Sequence, residues 1–226
     1  MQSTIARLSR VQWAKQWGWQ MFNLNVATAA VAIVISSVPY QFKGQHAIDG
    51  IVLMFHDPTL DRTTTGTGLI REQPWKGVIE HVRTKKHPVQ PIPLFEELIA
   101  LLMEEGNRHV ILNIDCKMQN DPEKLFPEMS RVISQYPLWE TELAPRLILG
   151  LWHPLFLRPA YKYLPLCTRY HIGESVALVR KFFWDACQGF SMCFPLLMGA
   201  EGQQFLADCA RPARRSASGR STRKGR

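Results

Sequence analysis

No two of the five cysteines stand in a CxxC pair, and their number is odd. That argues against a disulfide framework or a zinc site and leaves buried or incidental thiols. Acidic residues are absent from both ends. Residues 211–226 hold seven Lys or Arg and no acid, and residues 1–22 hold three and no acid. The formal charge of +8 therefore belongs to the termini, and what lies between is slightly acidic. A basic pI of this origin gives no ground for nucleic-acid binding. Long apolar runs are also missing. The best candidate, residues 26–38, falls short of the roughly 18–20 residues of a spanning helix. Three tryptophans and basic residues precede it, so residues 11–38 could meet a membrane, or could form a partly packed helix. Residues 1–44 are accordingly expected to be a helical, apolar segment of an intracellular chain, with residues 11–38 as the candidate for association with a membrane surface.

From about residue 50 apolar runs of strand length alternate with helical patterns. "IVLMFH", "HVILNIDCK", "RLILGLWH", "PLCTRYHI" and "GFSMCF" read as five strands. "PIPLFEELIALLMEEGNR" reads as a helix, with Leu94, Leu98, Leu101 and Leu102 at helical spacing. "NDPEKLFPEMSRVISQY" reads as a second, capped by Asn120 or Asp121. "PLFLRPAYKYL", "ESVALVRKFFWDAC" and "AEGQQFLADC" supply three more. This alternation implies an α/β protein with parallel strands covered by helices. Residues 211–226 have no apolar periodicity and are expected to be a disordered tail.

Polar residues collect where the strands end: His56 and Asp57, Asp115 and Lys117, Trp152 and His153, and His171. In a parallel α/β barrel that end carries the chemistry. Each has a plainer alternative. A His-Asp pair can be a hydrogen-bonded corner, Asp115 and Lys117 a structural ion pair, Trp152 and His153 a packed rim. His171 reads as structural. So does the Thr63–Gly68 loop, whose glycines permit a turn and whose hydroxyls can bond to backbone.

The stretch "HDPTLDRTTTGTG" resembles the glycerophosphodiester phosphodiesterase family, in which a strand ends in His-Asp and a Leu-x-Arg-Thr-x-x-Gly-x-Gly loop follows. "PIPLFEELIALL" and "ILNIDCK" extend the resemblance. "LGLWHPLFL" and "GFSMCFPLLMG" look most like a fungal branch related to phosphatidylglycerol phospholipase C. The resemblance runs from about Asp49 to Cys209 and implies a TIM (β/α)8-type barrel over residues 45–210. It implies cleavage of a glycerophosphodiester or phospholipid to glycerol phosphate or diacylglycerol products, assisted by a divalent metal, Mg²⁺ or Ca²⁺. His56 then matches a catalytic histidine that protonates the leaving oxygen. Asp115 matches a metal-binding carboxylate, usually Glu and here shorter by one methylene. Lys117 matches a lysine facing phosphate, while Asp57, Trp152 and His153 would line the pocket.

The sequence also departs from that pattern. It has no His-Arg-Gly in residues 1–50 and no Glu-x-Asp on an early strand; in "GQHAIDGIVLMFHD" Gly44–Ile48 resembles the approach to Glu-x-Asp and Asp49-Gly50 the Asp-Gly that follows it, as though the stretch between were deleted. The expectation is therefore an incomplete barrel with about five recognisable strands. Two functional readings follow: a phosphoric diester hydrolase, or a catalytically inactive barrel fragment with a binding or regulatory role or none.

Overall fold

The computed structural model describes residues 31–37 and 50–211. Six strands form one sheet in the order β2-β1-β3-β4-β5-β6. They are β1 (Val31–Ser37), β2 (Val52–Met54), β3 (Leu112–Cys116), β4 (Leu147–Leu151), β5 (Thr168–Gly173) and β6 (Gly189–Met192). Strands β1, β3, β4, β5 and β6 run parallel, and β2 lies antiparallel against β1.

Two expectations are corrected here. Residues Val31–Ser37, read above as part of a helix, are a strand between β2 and β3. The β-branched Val31, Ile33, Val34 and Ile35 carry a strand preference that a short apolar run otherwise hides. The rest of the 1–44 segment, and the 212–226 tail, lie outside the described residues. The second correction is direction. "IVLMFH" is not one of the parallel strands but a returning arm; with Val31–Ser37 added to the five expected strands, the described sheet has six.

Seven α-helices are found among the described residues: α1 (Phe95–Met103), α2 (Pro122–Ile133), α3 (Trp139–Glu142), α4 (Leu157–Tyr163), α5 (Val176–Leu178), α6 (Phe194–Leu197) and α7 (Ala200–Ala210). A π-turn, Val179–Phe183, continues α5. In α2 the expected cap is Asp121, whose carboxylate accepts from the Glu123 N–H at 3.0 Å. Its residues Leu125, Phe126, Met129, Val132 and Ile133 form one buried stripe, the arrangement that holds an amphipathic helix on a sheet. No helix among the described residues is long and apolar enough to cross a membrane.

Alternation along β3, β4 and β5 separates the two faces of the sheet. Leu112, Ile114, Cys116, Leu147, Leu149 and Leu151 are fully buried with the helices. Asn113, Asp115, Ile148, Gly150, Thr168 and Tyr170 share the opposite face by register. Strand β2 is buried on both sides for a different reason. Val52 and Met54 join the main core, whereas Leu53 and Phe55 join a second core with Leu60, Ile70, Ile79, Val82 and Ile92. Two cores, one on each side, require an unbroken apolar run and not an alternating one.

Candidate functional site

The register places one row of residues level across the sheet: Met54, Ile35, Cys116, Leu151, His171 and Phe190. Strands β3 and β4 rise to this row and pass on to Lys117 and Trp152. Strand β2 reaches it from the opposite direction and passes on to Phe55 and His56. One strand, β1, separates β2 from β3, and because β2 is antiparallel His56 leaves the row in the direction opposite to Lys117 and Trp152, so the strands do not bring the two sets to one end of the sheet as the sequence predicts.

The first set is built on the loop after β2. His56 Nδ1 lies 2.8 Å from Asp57 Oδ1. Arg62 donates from Nε to Asp57 Oδ2 at 2.7 Å and from Nη2 to Oδ1 at 2.8 Å. His56 and Arg62 are exposed, and the Asp57 side chain keeps only 13% of its surface. Burial pushes the Asp57 carboxyl up, but the hydrogen bonds from Arg62 and His56 outweigh it and hold the group below its ordinary range. The loop's hydroxyls and glycines fix its path. Thr64 Oγ1 donates to the Leu60 carbonyl at 2.6 Å, and Gly68 N–H donates to Asp61 Oδ2 at 2.9 Å. Gly66 leaves no room for a side chain, since a Cβ would stand 2.9 Å from Leu60 Cδ1 and Val82 Cγ2.

The second set is built on β3 and β4. Asp115 and Lys117 are two residues apart and so share a face. Lys117 Nζ lies 2.8 Å from Asp115 Oδ2. Gly150 stands opposite Asp115, and two residues on, Trp152 donates from its indole N–H to Asp115 Oδ1 at 2.5 Å. The ammonium of Lys117 also sits 4.9 Å from the centre of the Trp152 ring. Asp115 is 5% exposed, so both of its oxygens are satisfied out of solvent.

His153 and His171 join neither set. His153 Nδ1 accepts from the Leu155 N–H at 3.2 Å and caps the short turn after β4. His171 is fully buried on the helix side, stacked on Phe183 with ring centres 3.9 Å apart, and its Nδ1 lies 2.9 Å from the Leu151 carbonyl oxygen. Sequence reasoning overlooked Arg62. Its place five residues after Asp57, inside the loop that carries the resemblance, was the available signal.

A divalent cation asks for several oxygen ligands, typically six or more. Among the described residues no group of three or more His, Cys, Asp or Glu could hold a metal ion. Asp115, the expected ligand, already accepts from an ammonium and an indole. The described residues do not make a cation site.

No family model matches the chain, and no curated protein does. Solved structures do. A phosphodiesterase of Oleispira antarctica, in complex with the product sn-glycerol-3-phosphate, is 20% identical with a TM-score of 0.59, over 79% of this chain and 69% of that one. A glycerophosphodiester phosphodiesterase of Parabacteroides distasonis is 11% identical with a TM-score of 0.57, over 80% and 66%. One of Agrobacterium tumefaciens is 15% identical with a TM-score of 0.54, over 95% and 76%. Of another Parabacteroides distasonis enzyme of this kind the chain spans about half the length, 52%. The five parallel strands with their covering helices thus have the α/β fold of the glycerophosphodiester phosphodiesterase TIM barrels, as an incomplete barrel across the described residues.

Proposed function

We propose that this chain is a phosphoric diester hydrolase acting on glycerophosphodiesters, with phosphatidylglycerol as its phospholipid substrate. The observation that carries the reading is His56, exposed where the returning arm leaves the sheet, with its Nδ1 on the Asp57 carboxylate. A phosphodiester anion resists attack and has a poor alkoxide leaving group. Water would add its oxygen to phosphorus, the P–O bond to the alcohol would break, and His56 would give a proton to the departing oxygen. The proton lost by the attacking water goes to solvent and ultimately restores His56. Lys117 would supply a point charge for the phosphate, which requires the loops after β2 and β3 to meet, since the two strands leave the common row in opposite directions. Trp152, against that ammonium, would line the same pocket, and His153 would stand at its rim.

The metal is a proposal of its own. Asp115 is the candidate ligand for Mg²⁺ or Ca²⁺. To serve, it would have to give up Lys117 and Trp152 and draw further ligands from outside the described residues. A membrane surface as the place of action is likewise part of this reading.

A second reading, an inactive barrel with a binding or regulatory role, is favoured by the same closed pairing of Asp115. One experiment separates the two. The full chain is assayed on glycerophosphocholine, glycerophosphoglycerol and phosphatidylglycerol vesicles with Mg²⁺ or Ca²⁺, beside His56→Ala. Hydrolysis that falls about 10²-fold in the variant supports the hydrolase. Equal rates in the two proteins remove His56 from the mechanism, and no turnover on any substrate favours the inactive barrel.

A further inference from the structure

We propose that Arg62 is a positioning residue for His56, acting through Asp57. The inference rests on the reading of His56 as the proton donor. A carboxylate held at one oxygen alone can rotate away from its partner at little cost. Arg62 removes that freedom for Asp57. Its Nε and Nη2 grip both carboxylate oxygens, at 2.7 and 2.8 Å. Such a fork fixes the plane of the carboxylate as well as its distance. Asp57 Oδ1 is then held where His56 Nδ1 meets it at 2.8 Å.

The fork needs a rigid base, and the loop provides one. Arg62 lies between Leu60, fully buried in the second core, and Thr64, also fully buried. Leu60 N–H donates to the Gly68 carbonyl at 3.0 Å, and Thr64 N–H and Oγ1 both donate to the Leu60 carbonyl, at 3.2 and 2.6 Å. Thr65 N–H donates to the Arg83 carbonyl at 2.8 Å. The threonines and glycines that look merely structural therefore aim a guanidinium.

The consequence is chemical. An ionised carboxylate only accepts hydrogen bonds, so the contact with Asp57 requires the proton on His56 Nδ1. That selects one tautomer of the neutral ring and makes Nε2 the nitrogen that exchanges the reacting proton. Lysine could keep the charge of Arg62 but could not grip two oxygens at once.

The test uses the full chain with ¹⁵N-labelled histidine. The nitrogen shifts of His56 report its neutral tautomer in the native protein, Arg62→Gln, Arg62→Lys and Asp57→Asn. The expected native ring carries its proton on Nδ1. In all three variants the population shifts toward the Nε2–H form, and Arg62→Lys does not restore it. On glycerophosphodiesters kcat falls roughly 10-fold in Arg62→Gln, with KM little changed. A native tautomer retained in Arg62→Gln overturns the proposal. So does a loss confined to KM that Arg62→Lys repairs, which would make Arg62 a direct phosphate contact. If the tautomer shifts as expected but the native chain hydrolyses no diester, the positioning stands and only the hydrolase reading falls.

Discussion

The indole of Trp152 donates to Asp115 across adjacent strands at 2.5 Å. The two residues lie 37 apart in the chain and two levels apart in the register, with Gly150 opposite the aspartate. This bond and the Lys117 contact take up both oxygens of a carboxylate that water hardly reaches.

Removing the indole donor should therefore be felt. Trp152→Phe keeps an aromatic ring but leaves Asp115 Oδ1 without its donor, at a cost of about 1–3 kcal/mol in urea denaturation. In a cycle with Asp115→Asn the two costs should fail to add, by at least about 0.5 kcal/mol. Additive costs would mean that the bond contributes nothing to stability.

The second core sets the next expectation. Gly66→Ala places a methyl 2.9 Å from Leu60 Cδ1 and Val82 Cγ2, both on buried side chains. Val82 is β-branched and stiff, so the strain is not cheaply relieved. The variant should lose about 1–3 kcal/mol, read from the urea midpoint. An unchanged midpoint would show spare volume in that core.

His171 predicts a pH dependence. Burial lowers its pKa from the ordinary value, and the Leu151 carbonyl, which holds the ring nitrogen, offsets part of that. The unfolded chain thus binds a proton that the folded chain refuses. Stability from this group is complete above about pH 6.5 and is lost as the pH falls from there through the lower folded pKa. Denaturation midpoints should drop between about pH 7.5 and about pH 5, and drop less in His171→Gln. Equal drops in the two proteins would assign the acid sensitivity to other groups.

Much of the architecture could be read from local pattern. Each of the five expected strands is present, and Asp121, one of the two expected caps, caps α2. These are short-range matters: an apolar run bounded by turn residues, or a carboxylate one step before a helix, acts through neighbours in the chain. His56, Asp57, Asp115, Lys117 and Trp152 could be picked out for a related reason, as polar residues placed where buried strands end.

Other features depend on partners far away in the chain, and only folding could settle them. Val31–Ser37 is a strand because β2 and β3 stand on either side to take its backbone hydrogen bonds. A run of five apolar residues, Val31 to Ile35, by its composition allows either helix or strand. β2 is apolar on both faces because Val52 and Met54 face one core while Leu53 and Phe55 face another, and its direction is fixed only by its antiparallel pairing with β1. The pairing of Asp115 with Trp152 needs β3 and β4 in register, and the grip of Arg62 on Asp57 needs Leu60 anchored in the second core. Local sequence could propose the polar residues, but that Asp115 meets Trp152, 37 residues away, is a matter of register between strands.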